Sequence, residues 1–456
     1  MTTYDAIIVG SGQGGLPLAQ KLADIGWSVA LIEKGQLGGS CINYGCTPTK
    51  TMISSARIAH YARTAPRFGV HPGAIKVNMA EVVARKNEVV ASFRNGLQEG
   101  VDSRPTLTLY RGHARFAAPH EIDVNGEKLS SKKIFINTGT RPRIPPIPGL
   151  DQVPFLTNRN IMDFPELPEH VIALGGNYLG LEFGQMFRRF GSKVTVVELG
   201  DEIVSREDPE VSESLRQALE SEGMQFRLGS RATKIAKTKT GIDVTIEKGG
   251  SVETLQGSHL LICIGQVPNS DDLGLDKAGI ATDKAGYIQH DGKLQTNVPG
   301  VWVIGDVKGG PAFTHVSYDD FLVLYDNLVN GKNRSIDDRV VPYALYTDPE
   351  LGRVGLSERE ARAKGYRLKT GSYPMAYIAR AIERSETAGL MKIVVNADND
   401  RILGATVLGP DGGEVVQTLM AVMMADQPYT LLENAMFIHP TLTEGFFGLM
   451  ASVKPA

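Results

Sequence analysis

Two short apolar runs, each followed by a glycine-rich turn, stand out in the hydrophobic pattern of the chain. The first run covers residues 4–9 and leads into the turn Gly10–Gly15. After this turn the pattern predicts a helix over 16–25 and a further apolar run over 27–33. Short apolar runs bounded by turn residues are typical of buried strands. The N-terminal segment is therefore predicted to form a strand, a turn, a helix and a second strand.

The same order of elements recurs about 165 residues later. An apolar run over 171–174 precedes the turn Gly175–Gly180, a predicted helix over 181–190 and another apolar run over 194–198. A glycine turn between a strand and a helix is typical of dinucleotide-binding units. Two such units in one chain predict two bound nucleotides and a pair of similar, nested domains.

Irregular segments indicate where the chain crosses between domains. The stretch 142–149 is rich in proline and has no periodicity, and a second crossing is expected near 265–275. Between the turns, helices are predicted over 52–64 and 79–99. From residue 337 onward the pattern changes to alternating strands and helices without a glycine turn, which predicts a separate C-terminal domain.

Composition and charge change this picture little. The 456 residues are 42% hydrophobic and 22% charged, and 48 basic residues against 51 acidic residues give a net charge of −3. This balance does not indicate a nucleic acid or an anionic membrane as partner. No apolar run reaches the roughly 18 residues of a membrane span, and no secretory signal is visible. We therefore expect a cytoplasmic protein.

The first glycine turn matches the GxGxxG fingerprint, with Gly10, Gly12 and Gly15 at its glycine positions. Glycines there permit a tight turn, close approach of the backbone to a pyrophosphate, and close helix–strand packing. Glu33 ends the next strand, where its carboxylate can accept hydrogen bonds from a ribose. The alternative is a glycine-rich loop without a ligand, but the flanking strand, helix and acid favour a nucleotide site.

The second turn departs from the fingerprint at one position. Gly175 and Gly180 occupy the outer positions, and Asn177 stands where the middle glycine is expected. Glu198 ends the following strand, and an acid there favours the free ribose hydroxyl of NADH over the extra phosphate of NADPH. Arg206 is nearby and is interpreted as a solvated surface charge. We expect NADH or NADPH at this turn, with NADH favoured.

Two of the three cysteines, Cys41 and Cys46, are five residues apart. In an ideal helix this spacing separates the Cα atoms by about 8–9 Å, whereas a disulfide needs roughly 4.4–6.8 Å. A bridge would therefore require a distorted turn, which Gly45 would permit. The alternatives are two unrelated structural thiols or half of a metal site, although a closed four-cysteine zinc site in one chain is excluded. Cys263, in an apolar strand, is interpreted as a buried structural thiol.

The run Cys46-Thr47-Pro48-Thr49-Lys50, together with Gly39-Ser40-Cys41, resembles the redox-disulfide motif of the class I pyridine nucleotide–disulfide oxidoreductases. Further landmarks follow in the order typical of that family. They are Thr138-Gly139-Thr140, Val303-Ile304-Gly305-Asp306, Ala312-Phe313-Thr314-His315-Val316, and Ile438-His439-Pro440-Thr441 with Glu444. The resemblance spans essentially the whole chain.

The resemblance implies FAD and NADH or NADPH as cofactors, and an α/β fold of two nested Rossmann-like dinucleotide-binding domains with a C-terminal α+β dimerisation domain. The implied domains are FAD-binding (1–147 and 271–336), NAD(P)-binding (148–270) and dimerisation (337–456). The implied cofactor-binding residues are Gly10, Gly12, Gly15, Glu33, Lys50, Ala114, Thr138, Gly139, Gly175, Tyr178, Gly180, Glu198, Gly265, Asp306, Ala312, Phe313 and Thr314.

The family pattern also assigns catalytic roles. Cys46 would be the thiol facing the flavin, and Cys41 the outer thiol that meets the substrate. His439, oriented by Glu444, would serve as the base and would come from the partner subunit of a homodimer, so that two chains share each active site.

Lys50 would lie near the flavin and pair with Glu182, and Tyr178 would cover the flavin until the nicotinamide arrives. The alternative interpretation of the Lys50–Glu182 pair is a plain interdomain salt bridge. An idle ion pair is costly to bury, which favours a functional role.

Within the family, residues 46–51 and 379–384 are most similar to mercuric-reductase-like flavoproteins, which include bacterial copper(II)-reducing enzymes. The tail 451–456 lacks the cysteine pair of classical mercuric reductases, and His439 stands where those enzymes tend to have tyrosine. Phe437 stands where dihydrolipoyl dehydrogenases usually have a second histidine.

The leading hypothesis is an NAD(P)H-dependent flavoprotein reductase of a soft metal ion, such as Hg(II) or Cu(II), or of a small disulfide. Two neighbouring thiolates suit both kinds of acceptor, because they are soft ligands and can exchange with disulfides. The alternatives are a dihydrolipoyl dehydrogenase and a flavin redox sensor with slow turnover.

Overall fold

The computed structural model describes residues 1–456, and its first unit is built on a five-stranded parallel sheet. In spatial order the strands are Val301–Val303, Ile134–Ile136, Ala6–Val9, Val29–Glu33 and Leu107–Arg111. Strands that precede and follow the second unit in sequence thus join in one sheet. The predicted α/β fold with nested nucleotide-binding domains is confirmed.

Both faces of this sheet are buried. Ile8 and Leu31 contribute to the core beneath the helix Gly15–Asp24, whereas Ile7 and Ile32 contribute to the core on the opposite face. Successive side chains along a strand point to opposite faces, so a sheet covered on both sides needs continuous apolar strands. This is why Ala6–Val9 and Ile134–Ile136 appear as unbroken apolar runs in the sequence.

A four-stranded sheet completes the first unit. Its strands, in spatial order, are Thr2–Thr3, Glu127–Ser130, Glu121–Val124 and Ala114–Ala118. The first pair is parallel and the other two pairs are antiparallel.

The second unit repeats the parallel arrangement with the strands Gln225–Arg227, Lys193–Val197, His170–Leu174 and His259–Ile262. A three-stranded antiparallel sheet, Arg231–Lys237, Ile242–Lys248 and Ser251–Gly257, packs beside it. The strands Thr140–Pro142 and Gln266–Pro268 pair where the chain enters and leaves this unit. Both lie at or beside the segments in which domain crossings are predicted.

The C-terminal unit is a six-stranded antiparallel sheet. Its spatial order is Pro342–Leu345, Glu350–Gly355, Ile402–Gly409, Leu390–Asn396, Leu368–Pro374 and Lys454–Pro455. The helix Gly412–Met424 buries Val415, Val416 and Leu419 in the core of this unit.

The α-helices of the first unit are Gly15–Asp24, Gly39–Asn43, Cys46–Thr64, Met79–Asp102, Leu275–Ala278 and Thr314–Leu328. Those of the second unit are Tyr178–Phe190 and Pro209–Ser221, and those of the C-terminal unit are Glu358–Ala363, Ala379–Glu383, Gly412–Met424 and Gly445–Ala451. Short 3-10 helices cover Ala65–Phe68, Leu150–Gln152, Ile161–Asp163, Gly305–Lys308, Met375–Tyr377 and Tyr429–Leu431. None of the helices combines the length and the apolar character needed to cross a membrane.

Several helix boundaries, mostly helix starts, differ from the predicted ones. The helix predicted over 52–64 begins at Cys46, because Pro48 lies in the first turn, where backbone N–H groups have no intrahelical partner. The helix predicted over 181–190 begins at Tyr178, directly after the capping residue Asn177. The helix predicted over 79–99 continues to Asp102 through two glycines, because tertiary packing overrides local propensity.

Candidate active site

One large cavity of about 1530 Å³ extends between the two nucleotide-binding units. Both glycine turns, both cysteines of the pair, Lys50 and Glu182 line it. The other predicted cofactor residues that line it are Glu33, Ala114, Thr138, Gly139, Tyr178, Glu198, Gly265, Asp306, Ala312, Phe313 and Thr314. The exceptions are Gly15 and Gly180, the last residues of the two turns, which do not line the cavity. Residues that are far apart in sequence are therefore brought to one site.

Steric contacts explain the glycines of the first turn. A Cβ at Gly15 would lie 2.3 Å from the carbonyl oxygen of Gly10, and a Cβ at Gly12 would lie 2.6 Å from Oδ1 of Asn137. That same Oδ1 accepts the Gly15 N–H at 2.9 Å, so Asn137 fixes the start of the helix. Gly10 has φ of +102°, which other residues rarely adopt.

The second turn reproduces this packing. A Cβ at Gly180 would lie 2.0 Å from the carbonyl oxygen of Gly175, and a Cβ at Gly175 would lie 2.5 Å from that of Cys263. Asn177 has φ of −106°, an ordinary value, and its side chain accepts the Tyr178 N–H at 3.1 Å. The middle position therefore serves as a helix cap, which is a role that asparagine fills well.

The two acids at the strand ends occupy equivalent positions. Glu33 accepts the N–H groups of Ser11 at 3.0 Å and Gly35 at 2.7 Å. Glu198 accepts those of Gly176 at 2.6 Å and Gly200 at 2.9 Å. Each carboxylate thus ties its strand end to the glycine turn and lines the cavity. Arg206 is exposed, as predicted, and lies at the cavity wall.

The cysteine pair lies at a break between two helices. Cys41 belongs to Gly39–Asn43, whereas Cys46 begins Cys46–Thr64. Gly45 at the junction has φ −127° and ψ −120°, and a Cβ there would lie 2.9 Å from the Ser40 carbonyl oxygen. The predicted distorted turn is present, and the side chains of the two cysteines are within hydrogen-bond reach as free thiols.

Electrostatics separate the two thiols. A hydrogen bond with the Cys41 thiol, the charge of Lys50 and the Thr314 hydroxyl at 3.3 Å outweigh burial and lower the pKa of Cys46 to about 6. The same thiol–thiol hydrogen bond, together with burial, raises the pKa of Cys41. In the reduced pair these contacts favour a thiolate at Cys46 and a thiol at Cys41. Cys263 also lines the cavity, and burial raises its pKa to about 12, which keeps it unreactive.

Lys50 and Glu182 form an ion pair across the two units. The Lys50 ammonium donates to both carboxylate oxygens, at 2.8 and 3.0 Å, and it lies 4.6 Å from the centre of the Tyr346 ring. Glu182 is 4% exposed and also accepts the Tyr346 N–H at 2.9 Å. Burial alone would lower the pKa of Lys50, but Glu182 and the Cys46 thiolate raise it, so the ammonium stays charged.

The far wall of the cavity carries Asp306. Burial raises the pKa of this carboxyl group, and the Thr140 hydroxyl lies 3.4 Å from its Oδ2. Thr138 contacts the chain that returns from the second unit, because its hydroxyl donates to the Asn269 carbonyl at 2.8 Å. Gly139 and Gly265 have φ of +65° and +104° in the same crossing.

Aromatic side chains from all three units meet at one end of the cavity. The centre of the Tyr178 ring lies 6.4 Å from that of Phe313 and 5.6 Å from that of Tyr343. Phe313 and Tyr343 stack at 5.3 Å with 10° between their planes, and His315 also stacks with Phe313 at 5.4 Å.

The predicted base is not part of this cavity. His439 Nδ1 lies 2.8 Å from Glu444 Oε2, and the imidazole is 74% exposed. Neither residue lines the cavity that contains the cysteines. A single chain therefore brings together every predicted catalytic residue except this pair.

Family comparison decides the class of protein. The family model described as pyridine nucleotide-disulphide oxidoreductase matches residues 4–320, and its dimerisation domain matches residues 341–448. The chain belongs to this family. Members of the pyridine nucleotide–disulphide oxidoreductases are enzymes that depend on FAD and NAD(P)H.

Three relatives cover nearly the whole chain. It is 36% identical over 449 residues to a dihydrolipoyl dehydrogenase of Thermus scotoductus, covering 98% of this chain and 96% of the relative. It is 32% identical over 442 residues to a mercuric reductase of Lysinibacillus sphaericus, covering 97% and 81%. The third relative is the probable pyridine nucleotide-disulfide oxidoreductase RclA of Escherichia coli, at 35% identity over 462 residues and full coverage of both chains.

The RclA relative also has solved structures. The Cu(II) complex of this HOCl-induced flavoprotein disulfide reductase superposes with a TM-score of 0.90 at 34% sequence identity, covering 98% of this chain and 100% of the other. The resemblance to mercuric-reductase-like and copper-linked members of the disulphide oxidoreductases is thereby confirmed.

The residues of the cavity fit the two cofactors of the disulphide oxidoreductase family. A flavin dinucleotide needs a helix N-terminus for its phosphates and a long cleft for its rings. The first glycine turn, Gly38 and Gly39 line one continuous wall between Glu33 and Cys46. A Cβ at Gly39 would lie 2.9 Å from the Cα of Gly12, so two glycine backbones approach each other closely in this wall.

Several functional contacts were missed at the level of sequence. Asn137 fixes the first turn, Tyr346 contacts both Lys50 and Glu182, and Tyr343 joins the aromatic group. Asn137 directly precedes the Thr138-Gly139-Thr140 landmark, which was the available signal for it. No local pattern distinguishes the two tyrosines from ordinary strand residues.

Proposed function

We propose that this disulphide oxidoreductase takes a hydride from NAD(P)H and passes two electrons through Cys41 and Cys46 to a soft metal ion or a small disulfide. The observation that carries the proposal is the lowered pKa of Cys46 beside the Lys50–Glu182 pair, in the cavity that both nucleotide turns line. A stabilised thiolate next to a fixed positive charge is what thiol–disulfide and soft-metal chemistry need.

The first half-reaction reduces the Cys41–Cys46 disulfide to a dithiol. The cavity residues would hold FAD, whose chemistry when bound would be to pass the two electrons of the hydride on to the cysteine pair. One NADH converts the Cys41–Cys46 disulfide into one thiolate and one thiol and leaves as NAD⁺, because its hydride supplies both electrons and the single proton that the thiol keeps. Lys50 and the hydrogen bond with Cys41 hold the negative charge on Sγ of Cys46. Gly10, Gly12 and Gly15 would position one nucleotide, and Gly175 and Gly180 the other.

The second half-reaction restores the disulfide. The pair gives up two electrons as its S–S bond forms, which reduces two Cu(II) to two Cu(I), one Hg(II) to Hg(0), or one organic disulfide to two thiols. Metal reduction releases the one proton of the pair, whereas disulfide reduction transfers it to the product, and a second proton from solvent completes the two thiols. Cys41, in the middle of the short helix Gly39–Asn43, is the thiol that would meet the acceptor.

Proton transfer at Cys41 calls for a base, which we assign to His439 of the partner subunit. Glu444 holds Nδ1 of that imidazole at 2.8 Å, which leaves Nε2 to act. Large apolar side chains are exposed on the C-terminal unit. They include Met436 and Ile438, which are near His439 in sequence, and Met424. The matching dimerisation domain and these exposed groups support a homodimer with shared active sites.

A dihydrolipoyl dehydrogenase is the second candidate, because one relative at 36% identity bears that name. Phe437, however, packs against Phe446 and Phe447 at ring distances of 5.7 and 5.1 Å. The position two residues before His439 is therefore occupied by a packed aromatic side chain and not by a second histidine. The Cu(II) complex of the similar RclA supports the soft-metal alternative.

For the nicotinamide nucleotide we favour NADH. Glu198 lines the cavity with its carboxylate tied to the turn, where it would accept from a free ribose hydroxyl and repel a phosphate. The Kd values of NAD⁺ and NADP⁺ provide the measurement, with Glu198→Ala as the variant. Equal Kd values in the wild type would contradict this preference.

The proposed function is tested by an anaerobic panel of acceptors, namely Hg(II), Cu(II), lipoamide, glutathione disulfide and a quinone, each with NADH and with NADPH. We expect turnover with a metal ion or small disulfide that is lost in Cys41→Ser and kept in Cys263→Ser, the matched control. Turnover that survives Cys41→Ser would refute the dithiol route. Lipoamide turnover far above all others would select the dehydrogenase instead.

A further inference from the structure

Tyr343 connects the aromatic end of the cavity to a buried ion pair. Its hydroxyl donates to Glu207 Oε1 at 2.6 Å, and the other carboxylate oxygen of Glu207 lies 3.2 Å from Nη1 of Arg353. Glu207 is 0% exposed and Arg353 is 2% exposed. Tyr343 and Arg353 are direct cross-strand partners, so both reach Glu207 from one face of the C-terminal sheet.

The buried pair belongs to two units of the chain. Glu207 precedes the helix Pro209–Ser221 of the second unit, whereas Tyr343 and Arg353 belong to the C-terminal unit. Arg353 also donates to the Arg206 carbonyl at 2.8 Å and to Glu360 at 2.7 Å. Removing one partner of such a pair leaves a buried charge uncompensated. The position of the Tyr343 ring is therefore strongly determined.

Tyr178, in contrast, is held weakly. Its buried hydroxyl makes no hydrogen bond of good geometry, although the Tyr343 hydroxyl is its polar neighbour. The ring is kept in place by packing against Phe313 and Tyr343. Tyr178 lines the cavity, whereas Tyr343, Glu207 and Arg353 do not. A side chain that must move when a ligand enters is expected to have such a shallow energy minimum.

We propose that Tyr343 is a positioning residue: held by Glu207 and Arg353, it supports Tyr178 in the position that closes the nicotinamide end of the second nucleotide site. This inference rests on the proposed function, because it requires that a nicotinamide displaces Tyr178. The nucleotide then binds only after the contact between the two tyrosine rings is lost. Tyr343 thereby contributes to the affinity for the nucleotide without touching it.

The test is a double-mutant cycle with Tyr343→Phe and Tyr178→Leu in the flavin-loaded protein. The Kd of NAD⁺, which cannot reduce the flavin, is measured from the visible flavin spectrum. Tyr343→Phe keeps the ring but loses the hydrogen bond to Glu207, so closure weakens and the Kd should fall about threefold, the effect of roughly one hydrogen bond. In the Tyr178→Leu background, Tyr343→Phe should leave the Kd unchanged.

Tyr4→Phe is the matched control, because it also loses a tyrosine hydrogen bond, the 2.8 Å contact with Tyr110, outside the cavity. It should leave the Kd unchanged in both backgrounds. The inference would be overturned if Tyr343→Phe changed the Kd equally in both backgrounds or in neither. Binding of NAD⁺ by the wild type would still uphold the proposed function in that case. A wild-type flavin spectrum that does not respond to NAD⁺ would overturn both.

Discussion

The Lys50 ammonium lies 2.8 Å from the Glu182 carboxylate, although 132 positions of the sequence separate the two residues. The contact joins the helix Cys46–Thr64 to the helix Tyr178–Phe190. It places a fixed positive charge near the Cys46 thiolate, whose pKa it helps to lower. The ion pair is therefore both a contact between units and a part of the thiol chemistry.

Lys50→Gln should raise the pKa of Cys46 above its value of about 6, because the positive charge is lost while a side-chain donor remains. Glu182 loses its counter-charge, and we expect the free energy of unfolding to fall by about 2 kcal/mol. The thiolate absorbance against pH and urea unfolding measure the two effects. Lys239→Gln, at an exposed position, is the control. An unchanged pKa in Lys50→Gln would exclude an electrostatic role for Lys50.

The stability of the reduced protein should depend on the ionisation of Cys46. Its folded pKa of about 6 is below the ordinary cysteine value near 8.5. A lowered folded pKa means that the unfolded state binds more protons between these values, so this contribution is present above pH 8.5 and lost as pH falls through about 6. The raised pKa of Cys41 has the opposite effect on the free energy of unfolding, but only at higher pH.

We therefore expect the free energy of unfolding, measured with urea under reducing conditions, to rise between pH 5 and pH 8. This rise should be smaller in Cys46→Ser than in the wild type. Cys263→Ser removes a thiol whose pKa is about 12 and should keep the wild-type slope. Parallel profiles for the wild type and Cys46→Ser would show that the Cys46 thiolate is not stabilised by the fold.

A methyl group added to one glycine turn should impair the binding of one nucleotide and leave the binding of the other intact. In Gly15→Ala the new Cβ meets the Gly10 carbonyl at 2.3 Å, and in Gly180→Ala it meets the Gly175 carbonyl at 2.0 Å. Such overpacking costs about 1–3 kcal/mol and shifts the helix start. We expect Gly15→Ala to lose bound flavin, and Gly180→Ala to keep flavin but bind NADH more weakly.

Flavin occupancy after purification and the Kd of NADH measure these losses. Gly73→Ala is the control, because a Cβ there meets nothing within 4 Å. Loss of flavin in Gly180→Ala with normal occupancy in Gly15→Ala would reverse the assignment of the two turns.

Shared active sites can be tested by mixing two inactive variants, Cys41→Ser and His439→Ala. If His439 acts on the cysteines of the partner subunit, a mixed dimer contains one intact site and one doubly damaged site. Random exchange of equal amounts makes half of the dimers mixed, so about a quarter of wild-type turnover should return. A mixture of wild-type and Cys41→Ser chains serves as the control for subunit exchange. If the site lies within one chain, mixing restores nothing.

Some features of the site could be predicted because their causes are local. Gly10 and Gly175 have positive φ values, and Gly15 and Gly180 would collide with the carbonyl oxygens five residues earlier. Such constraints act within one turn and leave a visible pattern. The distorted turn at Gly45 follows similarly from the five-residue spacing of the cysteines, because no regular helix can join them.

Other features could not be predicted because they depend on contacts between distant segments. The role of Asn177 as a helix cap, the Asn137 contact with Gly15, and the ring of Tyr346 beside Lys50 are invisible in the pattern of their neighbours. Helix starts were also missed where capping and Pro48, rather than apolar spacing, determine the first turn.

By itself, the sequence determined the buried strands, the two glycine turns and the cysteine pair, because apolar runs and steric limits on the backbone act over a few residues. The tertiary structure supplied the contacts themselves: Lys50 with Glu182, Tyr343 with Glu207, and His439 with Glu444 outside the cavity. Of these, the family resemblance had implied the first and the third, and only the structure revealed the second. The first two contacts form when separate units pack together, and burial then makes each polar group require a partner. The thiol that ionises is set mainly by near neighbours in sequence, the Cys41 thiol and the Lys50 charge, and the Thr314 hydroxyl is the distant contribution.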